Sequence, residues 1–109
     1  MDEEDLDKLK AAGSALSFGA GQMLIERGKP GTGLYVVLDG HLAVEAPEGT
    51  REIGPGSVIG ERALLSADGL RTARVRALTH GVVLAVERAE VDRLCAEDPT
   101  FAERLARVS

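Results

Sequence analysis

Residues 58–77 read VIGERALLSADGLRTARVRA, and this stretch bears on both the fold and the function. It opens on apolar Val58 and Ile59, closes in a clean alternation, and carries Glu61 and Arg71 between. In RTARVRALT (71–79), Ala73, Val75 and Ala77 share one face of a strand, while Thr72, Arg74 and Arg76 share the other. Arg71 has the parity of the small apolar face. If the strand begins there, its guanidinium points inward and must meet an anion or stay wet. Arg74 and Arg76 then decorate the solvent side.

Glu61 opens ERALLSA, a short helical turn introduced by Gly60, whose backbone freedom permits close approach of another group. The first amides of such a turn have no internal partners and point out together, which makes a cradle for an anion. Gly60, these amides and Arg71 form a candidate phosphate site. An ionised Glu61 accepts hydrogen bonds only, so beside a phosphate it needs a donor such as a ribose hydroxyl. The same two residues also suit a partly buried salt bridge to each other. Residue chemistry alone leaves both arrangements open.

Short strands extend on either side: ALSF (15–18), QMLI (22–25), LYVVLD (34–39), HLAVEA (41–46), TREI (50–53) and VVLAVE (82–87). Turns rich in glycine separate them, and 13 glycines in 109 residues fit a fold of short strands. Asp39-Gly40 between two apolar runs predicts a tight hairpin turn. A β-roll over 15–87 follows, as a sandwich, barrel or jelly roll rather than a parallel sheet. Before it, DEEDLDKLKAAG spaces Leu6, Leu9 and Ala12 helically, with acids in the first turn and a stop at Gly13, predicting a helix over 3–12. After Glu87 the period changes. Val91, Leu94 and Cys95 mark one helix face; Asp98-Pro99 reads as an N-cap with proline in the first turn; Phe101, Leu105 and Val108 form a second stripe. The chain reads as one domain, 1–109, with C-terminal helices over 88–108.

Composition removes several function classes. A net charge of −5 argues against a general nucleic-acid binder. With Phe18, Tyr35 and Phe101 as the aromatics, there is no stacking platform for single strands. No apolar run reaches membrane-span length, and the acidic start MDEEDLDK is neither a signal nor a transit peptide. Cys95 is the single cysteine, which excludes an internal disulfide and suits a reducing compartment, so a cytoplasmic location is expected. His41 and His80 sit beside glycine turns, far apart, and are expected to be exposed rather than metal ligands. Ser14, Ser57 and Ser66 lack an obvious base, and there is no nucleophile elbow or Walker loop, so an enzyme is not expected. Two helix-sized segments follow Glu87 and the second ends at Ser109, which leaves no recognition helix for DNA.

The pattern G-E-x-A-L-L, then R-T-A-x-V with ten residues from glutamate to arginine, resembles the phosphate-binding cassette of cyclic nucleotide-binding domains. Here it comprises Gly60, Glu61, Ala63, Leu64, Leu65, Arg71, Thr72, Ala73 and Val75. The likeness extends upstream through FGAGQMLIERGKPGTGLYVVLDGHLAV and downstream through VERAEVDRLCAEDPTFAERLARV, so it covers nearly the whole chain. The resemblance implies a mainly β protein with flanking helices: a double-stranded β-helix (jelly-roll) barrel with one N-terminal and two C-terminal helices. It implies cAMP or cGMP as ligand, with no separate cofactor. Arg71 would grip the cyclic phosphate and Glu61 the ribose 2′-hydroxyl, with backbone amides near Arg62, Ala63 and Thr72 completing the cradle. Ile59, Gly60, Glu61, Arg62, Ala63, Arg71, Thr72 and Ala73 are the ligand-binding set so implied.

Two departures stand out. Lys29 replaces the acidic residue that often follows the early glycine and reads as a surface turn residue. Arg62 stands where many members carry an apolar residue and reads as exposed. In some members a threonine at the place of Thr72 donates to guanine, yet cAMP-responsive members carry it too; cAMP is the expected ligand, with cGMP close behind. A hinge around Glu87–Val91 would let Phe101 and Leu105 repack toward the ligand as a lid. The expected function is a regulatory sensor, fused to or docking on an effector domain. The competing reading is a degenerate barrel used for protein interaction or dimerisation without nucleotide.

Overall fold

Asp2 caps the first helix, its side chain accepting from the Asp5 amide at 2.9 Å, and α1 runs Glu3–Ala12 as the acid-first pattern predicts. The computed structural model describes residues 2–29, 31–65 and 69–107, and the backbone alone for Arg62 and Leu65. The expectations for Val108, for Ser66 and for the Arg62 side chain lie outside the described residues.

The strands that follow are β1 (Ser14–Phe18), β2 (Met23–Ile25), β3 (Gly33–Asp39), β4 (Leu42–Ala46), β5 (Gly49–Ile53), β6 (Val58–Ile59), β7 (Arg74–Ala77) and β8 (Gly81–Glu87), with the short helix α2 (Glu61–Leu65) between β6 and β7. They form two four-stranded antiparallel sheets, ordered β1-β8-β3-β6 and β2-β7-β4-β5. This is the jelly-roll architecture. The chain ends in α3 (Arg88–Glu97) and α4 (Pro99–Ala106).

Two expectations need correction, and one strand is additional. Asp39-Gly40 is not a hairpin turn: β3 pairs with β8 and β6, whereas β4 pairs with β5 and β7. The chain crosses there from one sheet to the other, and Gly40, at φ +91°, packs against the His80 carbonyl and the Phe18 ring. Strand β7 begins at Arg74, so Arg71 precedes it and is not held inward by strand alternation. The two-residue strand β6, which leads directly into Gly60, was too short to show a period of its own.

Two apolar clusters form the core. One lies between the sheets and includes Ile25, Val37, Leu42, Val44, Ile59, Val75 and Val83. The other lies between sheet β1-β8-β3-β6 and the helices, joining Leu9, Leu34, Val36, Val91, Leu94, Phe101 and Leu105. Leu6, Ala12, Leu64 and Cys95 pack against this second cluster, and burial raises the Cys95 thiol pKa. Asp98 caps α4 as expected, accepting from the Thr100 amide at 3.2 Å with Pro99 in the first turn. No helix among the described residues is long and apolar enough to cross a membrane.

Candidate functional site

Arg71 is charged, yet 9% exposed. Its position comes from the backbone around it. The Arg71 amide donates to the Lys29 carbonyl at 2.8 Å, and the Arg71 carbonyl accepts from the Gly28 amide at 2.9 Å. One step further on, the Gly31 amide donates to the Gly69 carbonyl at 2.8 Å. The early glycine turn therefore clasps the segment before β7, and Lys29, exposed as a side chain, contributes its carbonyl.

The guanidinium lies between two glycines. A Cβ on Gly60 would sit 2.5 Å from Arg71 Nη1, and one on Gly31 would sit 3.3 Å from Arg71 Nε and collide with the Ala63 methyl. Gly60 adopts φ +89°, which glycine accepts without strain, and its carbonyl accepts from Arg71 Nη1 at 2.9 Å. Burial lowers the pKa of Arg71 from the ordinary arginine value, and Tyr35 and Glu61 oppose that shift through space.

Glu61 is 2% exposed. It opens α2, directly after Gly60. Among the described residues Glu61 and Arg71 form no ion pair within 4 Å; Glu61 acts on Arg71 by through-space attraction, not by a hydrogen bond. Between the two arrangements left open by residue chemistry, the geometry is not that of a direct salt bridge. Arg74 and Arg76 differ: both reach Glu45, at 2.7 and 3.4 Å, on the outer face of the sheet.

These groups open onto a cavity of about 270 Å³, near the lower bound of roughly 300 Å³ usual for small-molecule pockets. Ile59, Gly60, Glu61 and Ala63 line it from the β6–α2 side, and Arg71, Thr72 and Ala73 from the segment entering β7. Seven of the eight residues implied by the cassette thus meet at one cavity; the eighth, Arg62, has its backbone in α2. No residue of α3 or α4 lines it. Phe101 and Leu105, expected as a lid, are fully buried in the helical cluster instead, and the expected hinge falls at Glu87, the N-cap of α3, and in that helix's first turn.

The opposite wall was not anticipated. Ile25, Val44, Ala46, Gly49 and Arg51 come from strands β2, β4 and β5, and they meet Val75 of β7, which the cassette pattern included. Their signal was the alternation in HLAVEA and TREI, which places Val44, Arg51 and Ile53 on one face only once the β4–β5 register is known. His41 and His80 are exposed, His41 lying 3.6 Å from Glu52. Among the described residues no group of three or more His, Cys, Asp or Glu could hold a metal ion.

The arrangement offers a buried cation, a buried acceptor and an apolar wall, a combination suited to a small anion carrying a hydroxyl and a flat apolar part. The family model of the cyclic nucleotide-binding domain matches residues 15–98. A cyclic nucleotide-gated potassium channel of Mesorhizobium japonicum is 36% identical over 84 residues, 77% of this chain and 23% of the channel. A solved structure from a cyclic-GMP-dependent signalling pathway that regulates bacterial phytopathogenesis superposes with a TM-score of 0.85 at 29% identity, covering 98% of this chain and 89% of the other. The catabolite activator protein of Thermus thermophilus superposes with a TM-score of 0.80 at 27% identity, covering 97% of this chain and 52% of that one. The chain spans about a quarter of the length of the potassium channels it matches.

Proposed function

The chain belongs to the cyclic nucleotide-binding domain family, and on that footing we propose that it is a regulatory sensor module, not an enzyme, whose cavity takes a cyclic nucleotide by its phosphate and ribose. Arg71 is the phosphate ligand in this reading and Glu61 accepts from the ribose 2′-hydroxyl. One observation carries it: an arginine 9% exposed as a residue, whose guanidinium makes a single hydrogen bond, to the Gly60 carbonyl, and no ion pair among the described residues. An arginine so placed has donors left over and an uncompensated charge at a cavity wall, which an external anion relieves.

Signalling follows from where α2 sits. It carries Glu61 and Ala63 at the cavity, while its Leu64 packs against the cluster that holds Phe101 and Leu105, and α2 lies against α4. A ligand that orders α2 acts on the seat of α4. A micromolar ligand supplies about 8 kcal/mol in all, and its preference for one helix position over another sets how far that equilibrium moves. Relatives in this family include potassium channels and a cAMP-activated transcriptional regulator, so an attached or docked effector is the output we propose, in the cytoplasm. The expected order of ligands, cAMP before cGMP, is carried by no side chain of the cassette.

A melting scan with cAMP, cGMP and AMP tests the proposal. At about a hundred times the dissociation constant, a bound nucleotide adds roughly 2.7 kcal/mol of stability, so a cyclic nucleotide raises the melting temperature and AMP does so far less. No shift with either cyclic nucleotide at millimolar concentration overturns it.

A further inference from the structure

Among the described residues the two sheets end in the edge strands β1, β6, β2 and β5, and three of these are guarded against further pairing. Strand β6 has two residues; β2 has three and an irregular register against β7; β5 carries Arg51 and Glu52. Short length, bulges and charge keep an edge from pairing with another chain. Strand β1 has none of these protections. It reads SALSF, pairs with β8 in an unbroken register from Ser14 to Phe18, and has β8 as its one strand neighbour among the described residues. Leu16, at its centre, pairs with Val83 of the core between the sheets and so faces the same way. It is nevertheless 50% exposed. The edges β1 and β2 belong to different sheets, and Leu16, Met23, Leu24 and Tyr35 line a hollow of about 250 Å³ at that seam.

We propose that β1 is a self-pairing edge, on which a second copy of this chain docks antiparallel about a twofold axis at Leu16. Charge selects the occupant. The chain is 28% charged with a net charge of −5, yet residues 11–25 contain no Asp, Glu, Lys or Arg, the longest such run in the sequence. A charged partner finds no counter-charge there, whereas two copies, which repel each other elsewhere, meet where neither carries charge. The axis places Ser14 opposite Phe18 of the second copy, Ala15 opposite Ser17, and Leu16 opposite itself. This register holds whichever alternate residues of β1 turn their backbone groups toward β8: positions 15 and 17 exchange hydrogen bonds in one case, and 14, 16 and 18 in the other. The two Leu16 side chains then cover each other at the seam. Sheet β1-β8-β3-β6 continues into its copy, and the nucleotide cavity stays open, because no residue of β1 or β8 lines it. Strand β8 runs to Glu87, the N-cap of α3, so the pairing sets the C-terminal helices of two copies relative to each other. One five-residue strand a side is a small interface, below the roughly 1,200 Å² of stable complexes, so the dimer forms at high concentration and dissociates on dilution.

Sedimentation equilibrium of the wild-type chain, Leu16→Lys and Leu16→Glu tests this, with a melting curve of each variant to report its fold. The wild type is expected to pass from monomer to dimer as concentration rises. Each variant alone stays monomeric, because like charges meet at the axis. An equimolar mixture of the two recovers dimer, because opposite charges then face each other. Amide hydrogen exchange of the wild type needs no variant: protection within Ser14–Phe18 grows with concentration, and that of β2 and β5 does not. A wild type that remains monomeric up to millimolar concentration, or a β1 whose protection is independent of concentration, overturns the proposal. So does a dimer that survives Leu16→Lys, or a mixture of folded variants that stays monomeric.

Discussion

Arg104 of α4 holds Asp5 of α1 by two parallel contacts, Nε to Oδ2 at 2.6 Å and Nη2 to Oδ1 at 2.8 Å, across 99 positions of the chain. Asp5 is 2% exposed, so its carboxylate depends on that fork. Arg104 Nη2 also reaches Asp98 at 2.9 Å, and Lys8 reaches the same oxygen of Asp98 at 3.4 Å. The network ties the first helix to α4, the helix that α2 also contacts and through which we propose that ligand binding is reported. Arg104→Gln leaves a buried carboxylate without its charged partner and is expected to lower the melting temperature by roughly 5–10 °C. Replacing both partners, Asp5→Leu with Arg104→Met, restores most of the loss, because it is the stranded charge that costs. Scanning calorimetry of the two variants decides; an Arg104→Gln protein that melts with the wild type sinks the prediction.

The same network sets the acid side of the stability curve. The Arg104 fork lowers the pKa of Asp5, and hydrogen bonds from Thr100 and Arg104 lower that of Asp98. A carboxyl with a depressed folded-state pKa binds fewer protons folded than unfolded, so stability rises with pH across the interval between the two values. This contribution is complete above the unfolded-state value of about 3.9 and is lost as pH falls through the folded-state values. Acid unfolding followed by circular dichroism is expected to be steepest below about pH 4. In the Asp5→Leu, Arg104→Met double variant the dependence flattens. An unchanged acid transition in that variant counts against the assignment.

Arg71→Leu is expected to cost about 2–5 kcal/mol of nucleotide affinity, as removal of one partner from a buried charge pair does. Glu61→Gln costs less, because an amide oxygen still accepts from a ribose hydroxyl. Titration calorimetry with the tighter of cAMP and cGMP measures both. Should Arg71→Leu keep its affinity and melt lower instead, Arg71 is a structural residue and the cavity is not a phosphate site.

Gly31→Ala places a methyl against Ala63 and beside the Arg71 guanidinium. Ala63 is 2% exposed on α2, so the methyl has little space and either α2 or Arg71 must move. The expected result is about 1–3 kcal/mol of lost stability together with weaker nucleotide binding, read by chemical denaturation and by titration. Ordinary binding by the variant would show that Arg71 and α2 can separate without consequence.

The cassette was legible because its parts are contiguous: Gly60, Glu61, Ala63, Arg71, Thr72 and Ala73 fall within fourteen positions, and seven of the implied residues meet at one cavity. The helices were legible for the same reason, since Asp98-Pro99 and the stripes of Leu9 and Phe101 are local patterns. Strand partners were not. Asp39-Gly40 has the composition of a hairpin turn, yet β3 and β4 belong to different sheets, because pairing is settled by strands far away in the chain. Arg51 in TREI resembles any solvent-side arginine until its register against Val44 places it on the cavity wall. Asp5 looks like one more first-turn acid among Glu3 and Glu4, and its partner lies at the other end of the chain.

By itself, then, the order of residues determined most of the element types and marked Arg71 and Glu61 as the candidate cation and acceptor, since each depends on neighbours within a few turns of backbone. Only the tertiary structure decided that Arg71 is buried by a backbone clasp from Gly28 and Lys29, that Glu61 does not neutralise it, and that Arg51 lines the cavity. Those facts depend on register between distant strands, where a shift of one residue turns every side chain to the opposite face.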